Sequence, residues 1–206
     1  DLVAGGGGWT FRLAFIGAAE AILDGNTPYQ DLNDPNLVDG SAYVYSPLIA
    51  LLTIPFVWLP GDSGAIVFAG ILIAAVLLTL RALDVRDWRC YGIVFLWPPV
   101  LSGIHGESIS ILLALAAALI WRWRDRPAAA GVTLGVSIVA KQLLWPVGLW
   151  LLVTRRLRAV AWGVGTAVVL GLGSWAVIGF AGFLEYPDRL QLLSEVMDEW
   201  GYTVYA

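Results

Sequence analysis

The chain has 206 residues, of which 59% are apolar and 14% are charged, and its mean hydropathy is +0.76. Soluble domains carry about 25% charged residues, so the composition excludes an ordinary soluble domain and predicts an all-α membrane protein. The net charge of −4, without a basic patch outside short loops, excludes nucleic acid as a partner. A single cysteine, Cys90, and a single histidine, His105, exclude an internal disulfide and a histidine-rich metal site.

The placement of charge predicts how the chain crosses the membrane. The apolar residues fall in blocks of roughly 15 to 25, as expected for repeated crossings of about 30 Å of hydrocarbon. Arginines cluster at 122–126 and 155–158, while acidic residues dominate 20–39 and 185–199. Because basic loops stay in the cytoplasm, the sequence predicts a multi-pass protein with its arginine clusters inside and its acidic segments outside.

The first predicted element is a helix over 11–24. It is too short and too charged to span the membrane, so we expect it to lie in the outer membrane interface. Its apolar residues share one side: Phe11, Phe15, Ala18 or Ala19, and Ile22. Gly25 is predicted to end this helix, and Thr27-Pro28 prevents its resumption. Residues 30–44 are rich in Asp, Asn, Pro and Gly, which predicts a loop.

Apolar runs follow at 45–60, 64–80, 90–104, 108–121, 128–153 and 159–182. The last stretch, 184–200, has apolar residues on one helical face and predicts a second interfacial helix outside. We therefore expect one transmembrane domain over 1–206, with a first outer loop at 1–44, membrane helices over 45–182 and an outer interfacial segment at 183–206. We also expect the sequence to be a fragment of a longer membrane protein.

If every apolar run crossed the membrane, the arginine cluster at 122–126 would face outward, against the positive-inside rule. One run must therefore enter the membrane and return to the same side. The run 90–104 is the preferred candidate, because Pro98-Pro99 interrupts it at mid-length. The alternative assigns the return to 45–60, broken at Pro55, which moves Arg81, Arg86 and Arg89 inside. Glu107 lies near the outer face under either assignment.

Two charges stand where the membrane makes them costly, at about 2.5 kcal/mol or more on insertion scales. Lys141 and Gln142 divide the run 128–153, which predicts two short helices meeting at a polar break, with Lys141 at its outer end. Lys141 either lines a cavity or extends its ammonium group to the headgroups. Glu107 is either a site residue or an ordinary cap of the helix 108–121.

Aromatic residues near the first loop have two interpretations. Tyr29, Tyr43 and Tyr45 either stack on a sugar or anchor the chain at the membrane interface. The anchoring interpretation also accounts for most of the tryptophans.

Several motifs, in their order and spacing, carry a resemblance to a known family. A helix ends in "AILDGNTPYQ", a loop leads to "YVYSPLIALLTIP", and "GIHGESISILL" opens a later helix. Then comes "AGVTLGVSIVAK" followed by the basic "TRR" segment. This order resembles the polyprenyl-phosphate-sugar-dependent glycosyltransferases of the GT-C type, and among them glycosyltransferase family 87, over about residues 11–200.

The resemblance implies a GT-C-like helical bundle with interfacial helices in its first outer loop and short or broken membrane helices. It implies a bacterial plasma-membrane enzyme with its active face outside. The enzyme transfers mannose or arabinofuranose, with inversion, from a polyprenyl-phosphate donor to a cell-envelope glycan or glycolipid. The donor is a substrate, and the resemblance implies no cofactor and no metal. Membrane lipid is the remaining expected partner.

In the resembled mechanism, a carboxylate of the first outer loop accepts the proton of the attacking hydroxyl while cationic groups stabilise the departing phosphate. The family's acid falls about where this chain has Phe11, and no carboxylate is there, so Asp1 is the predicted catalytic base. The family's Gly-Gln-x-Asn element is here Gly106-Glu107-Ser108-Ile109. Lys141 matches the family's lysine and is expected to face the lipid phosphate. The predicted substrate-binding residues are Lys141, Glu107, His105, Tyr29 and Tyr45.

The sequence leaves two alternatives to the glycosyltransferase function. The missing acid near Phe11 motivates a non-catalytic relative that binds lipid-linked sugar or a partner subunit. The broken helices around Lys141 and Pro98 motivate a transporter, although the sequence shows no internal inverted repeat.

Overall fold

The computed structural model describes residues 10–30 and 43–199, which contain helices and turns and no strand. The prediction of an all-α chain is confirmed for these ranges. Asp1 and most of the predicted loop 30–44 lie outside them.

The first helix begins as a π-helix, Thr10–Ile16, and continues as α1, Gly17–Leu23. The further helices in chain order are α2 Pro47–Val57, α3 Ser63–Ala82, α4 Trp88–Ile93, α5 Pro98–His105, α6 Ser110–Arg122, α7 Pro127–Ala140, α8 Trp145–Val153, α9 Leu157–Val177 and α10 Tyr186–Glu199. Single turns of 3₁₀ helix, Val94–Leu96 and Gln142–Leu144, join α4 to α5 and α7 to α8. Two of these helices, α3 and α9, are long and apolar enough to cross a membrane by length and composition.

The first helix ends where the sequence predicts. Asp24 caps α1, and Gly25 follows with a φ of 76°, a left-handed conformation that glycine adopts without a steric cost. Phe11 and Phe15 are buried with Ala18, which confirms the predicted apolar face. This face packs into the larger of two hydrophobic clusters in the described chain.

One end of the bundle, which we call the arginine end, is held by contacts between helix termini. Arg122 Nη1 donates to the Ala82 carbonyl at 3.3 Å and lies 3.6 Å from Asp84 Oδ1, so α3 and α6 end together. Arg156 Nη1 lies 2.8 Å from Asp125 Oδ1, which joins the start of α9 to the turn between α6 and α7. Both predicted arginine clusters therefore lie at the same end.

The opposite end, which we call the aromatic end, contains the hydrophobic cluster around Phe11, Phe15, Tyr29, Tyr43, Phe68 and Trp175. The ring of Phe11 stacks on Phe68, near the start of α3, with 4.4 Å between centroids. The ring of Tyr29 stacks on Trp175, near the end of α9, with 5.2 Å between centroids. The two long helices therefore run in opposite directions between the same two ends.

The structure corrects the preferred assignment of the returning run. The segment 88–105 leaves the arginine end just after Asp84 and reaches the aromatic end at Glu107, which contacts Phe11, so it does not return. Pro98 begins α5, a position where proline fits a helix, and does not reverse the chain. Instead α2 stays at the aromatic end: Ala50 lies in the cluster around Phe11, and Phe56 packs against the ring of Phe11. At about 16 Å for 11 residues, α2 is too short to span.

The break at Lys141 agrees with the prediction of two short helices. α7 ends at Ala140, Lys141 adopts an extended conformation with φ −159° and ψ 128°, and α8 then begins at Trp145. α8 returns to the arginine end, where the Arg156 N–H donates to the Leu151 carbonyl at 2.9 Å.

Glycines let α7 and α9 approach closely. A Cβ on Gly135 would lie 2.5 Å from the Gly163 carbonyl oxygen and 2.6 Å from Cβ of Thr166. A Cβ on Gly131 would lie 2.9 Å from the Gly163 nitrogen. The backbones therefore touch where any side chain would separate them, which fixes the depth at which α7 ends.

We expect Gly135→Ala to destabilise the protein by about 1–3 kcal/mol, because the new methyl group meets backbone atoms of α9. Gly165→Ala on α9 is the matched control, since a Cβ there meets nothing within 4 Å. The control should leave stability equal or higher by up to ~1 kcal/mol, the gain in helix propensity. Thermal unfolding of both variants in detergent micelles measures the difference. Equal unfolding temperatures would contradict the close packing of α7 on α9.

Candidate functional site

Three tyrosine hydroxyls bond to three consecutive carbonyls at the aromatic end. Tyr186 donates to Val44 at 2.8 Å, Tyr29 to Tyr45 at 2.9 Å, and Tyr43 to Ser46 at 2.7 Å. The three tyrosines come from three parts of the chain: the turn after α1, the segment before α2, and α10. The start of α2 is thus tied to both flanking segments.

The conformation before Pro47 explains why these carbonyls need such donors. Ser46 is extended, with φ −64° and ψ 155°, as is usual for a residue that precedes proline. The carbonyls of residues 44 and 45 precede α2, so they lie outside its ladder of hydrogen bonds. These carbonyls are partly buried, and backbone carbonyls withdrawn from water are nearly always paired; here the phenols supply the partners. The "YSPL" motif therefore has a structural role in these contacts.

Burial keeps these phenols in their donating form. It raises the pKa of Tyr29 and of Tyr43 well above the usual value for tyrosine, and it raises the pKa of Tyr186 to about 12. Neutral phenols donate hydrogen bonds, whereas phenolates do not. The three bonds are therefore present throughout the physiological pH range.

The ring of Tyr29 is enclosed by its neighbours. It is 5% exposed, it stacks on Trp175, and the guanidinium of Arg189 lies 5.5 Å from its centroid. Gly182 lies against this ring, and its φ of 75° is a left-handed conformation that favours glycine. The anchoring interpretation of Tyr29 fits this geometry, and its predicted contact with substrate stays a prediction.

Glu107 lies at the other side of the same cluster, in the turn between α5 and α6. It is 4% exposed and has a φ of 51°, which is uncommon for a residue other than glycine. Its Oε2 accepts the Phe11 N–H at 3.2 Å. The carboxylate thus satisfies a free N–H at the beginning of the first helix, where the helix dipole favours negative charge.

The partner of Glu107 corrects the capping interpretation made from the sequence. Glu107 bonds the first helix of the chain, 96 residues away, rather than the helix that follows it. At the start of α6 the Ser110 N–H instead donates to Ser108 Oγ at 3.3 Å. Burial raises the pKa of Glu107, while the Phe11 N–H and the nearby Arg12 oppose the shift. A raised pKa brings a carboxyl group closer to the range in which it exchanges protons near neutral pH.

Lys141 lies close to the aromatic end by the register of α7 on α9. Val139 Cγ2 lies 4.0 Å from the position of a Cβ on Gly171, and the two helices run in the same direction from the arginine end. Lys141 follows Val139 by two residues, so this register places it near the level of Gly173 on α9, two residues before Trp175. The side chain is exposed and forms no ion pair within the part of the chain that the structure describes.

The remaining predicted residues have different surroundings. His105 is exposed in the last turn of α5, two residues before Glu107. Tyr45 is half-buried, and its ring meets Phe15 edge-on at 5.0 Å. The structure thus brings Glu107, Tyr29 and Tyr45 to one cluster with Phe11 and Phe15. No hydrogen bond or ion pair joins the side chain of Lys141 to these residues in the described ranges, and Asp1 lies outside them.

Three residues of this end were not singled out from the sequence: Trp175, Tyr186 and Arg189. Trp175 is one of eleven tryptophans, and only its place in the last third of the apolar run 159–182 distinguishes it in the sequence. Arg189 is 2% exposed although it lies on a polar-looking helix. Its guanidinium contacts the ring of Tyr29, and periodicity does not indicate such a contact between distant segments.

In residues 10–30 and 43–199, no group of three or more His, Cys, Asp or Glu side chains is arranged to hold a metal ion. The expectation that the reaction needs no metal stays a prediction.

We expect Tyr186→Phe to destabilise the protein by about 0.5–1.5 kcal/mol, because the partly buried Val44 carbonyl loses its donor. The control is Tyr91→Phe, which removes a similar bond of 3.0 Å to the Val85 carbonyl at the arginine end. The folded-state pKa of Tyr186 is raised, so its contribution is full below about pH 10 and is lost as the pH rises towards 12. Unfolding temperatures measured from pH 8 to 11 should therefore fall less steeply in Tyr186→Phe than in Tyr91→Phe. Parallel pH profiles would contradict the bond.

Comparison with known proteins agrees with the resemblance drawn from the motifs. No curated protein and no solved structure matches the chain. A family model, described as glycosyltransferase family 87, matches residues 43–204. The match includes α2 to α10 and begins after the "GNTPY" motif, which lies outside it. Because the match covers most of the chain, the protein belongs to glycosyltransferase family 87 and is a glycosyltransferase.

Proposed function

We propose that this glycosyltransferase is embedded in the bacterial plasma membrane and transfers mannose or arabinofuranose, with inversion, from a polyprenyl-phosphate donor to a cell-envelope glycan or glycolipid. The observation that carries the proposal is the separation of polar groups along the bundle. The arginine clusters lie at one end, and the candidate site residues lie at or near the other. Under the positive-inside rule, the aromatic end then faces outward.

The surfaces of the long helices support the membrane placement. Of the most apolar stretch of 18 residues, only 28% is buried in α3 and only 17% is buried in α9. The side chains that remain exposed on these helices are large and apolar, for example Ile66 at 70% and Val169 at 69%. Apolar surface of this extent is unfavourable in water at about 25 cal/mol per Å², whereas acyl chains cover it without that cost.

The chemistry requires a site at the boundary between membrane and water. The lipid tail of the donor stays in the bilayer while the acceptor hydroxyl attacks the anomeric carbon from the aqueous side. The new C–O bond forms as the bond from the anomeric carbon to the phosphate oxygen breaks, and polyprenyl phosphate leaves with the bonding electrons. A carboxylate takes the hydroxyl proton. Lys141, an exposed cation near the aromatic end, is suited to stabilise the phosphate that leaves.

Two carboxylates are candidates for the proton acceptor. Asp1 is the base predicted from the sequence. Glu107 is favoured by its geometry, because it is buried at the aromatic end and held by the Phe11 N–H. Its carboxylate also lies beside the residue where the resembled family carries its acid. We therefore propose Glu107 as the base, in place of the substrate-binding role assigned to it from the sequence.

We expect Lys141→Met to lower kcat by about 10²–10³-fold, the usual effect of removing one group that stabilises developing charge. Lys141→Arg keeps the cation and should retain most of the rate. The assay supplies the full chain in vesicles with radiolabelled polyprenyl-phosphate mannose or arabinofuranose and follows label in the acceptor fraction. Transfer by Lys141→Met at the wild-type rate would show that Lys141 does not act on the phosphate. If no donor is turned over but binding persists, the non-catalytic alternative holds.

We expect Glu107→Gln to lower kcat by about 10²–10⁴-fold, the range of general base catalysis, while Asp1→Asn retains activity. The amide oxygen of glutamine still accepts the Phe11 N–H, so the variant should remain folded. Because burial raises the pKa of Glu107, wild-type activity should decline on acidification at a higher pH than an exposed glutamate would give. Loss of activity in Asp1→Asn with full activity in Glu107→Gln would reverse the assignment.

A further inference from the structure

A polar cavity lies at the arginine end, away from the proposed transfer site. Its volume is about 450 Å³. It is formed where α3 and α6 end and before α7 begins, and its charged or aromatic lining comprises Asp84, Trp121, Arg122, Trp123, Arg124 and Arg126. No step of the proposed sugar transfer uses these residues.

The charges around this cavity are mostly positive. Three arginines and one aspartate line it, so the lining carries an excess of two positive charges. Arg122 is 3.6 Å from Asp84 Oδ1, and Arg124 is 3.9 Å from Asp125 Oδ2. Arg126 forms no ion pair with any residue in the described ranges. The cavity therefore favours an anion and has at least one guanidinium available to bind it.

The chemistry of the arginines suits a phosphate group. Guanidinium groups bind phosphate oxygens with paired, charge-assisted hydrogen bonds. Arg124 is already held in place, because its guanidinium lies 4.8 Å from the ring centroid of Trp121 and Nη1 donates to the Trp121 carbonyl at 2.9 Å. A cation ordered in this way loses little side-chain entropy when an anion binds.

The surroundings of the cavity favour a lipid as the source of the phosphate. Trp121 is 52% exposed and Leu83 is 50% exposed, and both line the cavity. Apolar residues that flank the same end, such as Val153 and Leu157, are also exposed. Tryptophan at the boundary between an apolar surface and arginines is typical of the headgroup level of a bilayer.

We propose that this cavity binds the phosphate headgroup of an anionic phospholipid on the cytoplasmic side of the membrane. The inference rests on the membrane placement in the proposed function. The arginines contact the phosphate, Trp121 lies against the glycerol region, and the acyl chains continue along the apolar surface. Basic pockets at helix ends on this side bind anionic headgroups by the same contacts.

The test titrates phosphatidylglycerol into the full chain purified in a neutral detergent and follows the thermal unfolding midpoint, which rises when a ligand binds the folded state. Phosphatidylcholine and inorganic phosphate are titrated in parallel. Arg126→Gln removes a cavity arginine, while Arg89→Gln removes an exposed arginine from the start of α4, which does not line the cavity. Arg126→Lys keeps the charge and checks that the position tolerates substitution.

We expect phosphatidylglycerol to raise the midpoint and phosphatidylcholine to have little effect. Arg126→Gln should need about fivefold more phosphatidylglycerol for the same shift, the effect of removing one arginine near an anionic surface. Arg89→Gln should behave like the wild type, while Arg126→Lys, which keeps the charge and loses the paired hydrogen bonds, should lie between the wild type and Arg126→Gln. Equal shifts with both lipids, or equal responses of Arg126→Gln and Arg89→Gln, would overturn the proposal.

Two further outcomes separate this site from the proposed function. If inorganic phosphate shifts the midpoint and phosphatidylglycerol adds nothing, the ligand is a soluble phosphate and the lipid assignment is wrong. Sugar transfer is assayed on the same preparations. Transfer without a preference for phosphatidylglycerol overturns the lipid site alone, whereas a lipid preference without transfer contradicts the proposed function alone.

Discussion

The hydrogen bonds of residues 44–46 constrain the rest of the aromatic end. Proline at position 47 favours an extended backbone before α2, which leaves partly buried carbonyls outside the hydrogen bonds of the helix. Tyr29, Tyr43 and Tyr186 supply them from three segments of the chain. Because Tyr29 also stacks on Trp175, these bonds join the first helix, α2, α9 and α10 into one unit.

A second constraint sets where the broken helix ends. The glycine contacts of α7 with α9 leave no freedom for one helix to slide past the other. The extended backbone at Lys141 is therefore held at a fixed depth, near the level of Trp175. This position separates Lys141 from the arginine end of the bundle. The same packing places the polar break near the end of the bundle where Glu107 contacts Phe11.

Local features of the fold could be predicted from the sequence, and long-range contacts could not. The helix end at Gly25 and the break at Lys141 follow from backbone chemistry, and both are confirmed. The prediction of the returning run is wrong because a proline inside an apolar run suggests an interrupted helix, whereas Pro98 lies in the first turn of α5, where proline is compatible with a helix. The contact of Glu107 with Phe11 joins residues 96 apart, and no periodicity indicates such a pair. The role of Asp1 lies outside the described residues and stays a prediction.

The central claim is that the two ends of this bundle face opposite sides of the membrane, with the aromatic end outside. The most direct test replaces Cys90 by serine and introduces Asn26→Cys at the aromatic end or Thr154→Cys at the arginine end, both at exposed positions. Intact cells are then treated with a membrane-impermeant thiol reagent. The account predicts that residue 26 is labelled in intact cells and that residue 154 is labelled only after the membrane is permeabilised. Labelling of both residues from the same side, or the reverse pattern, would contradict it.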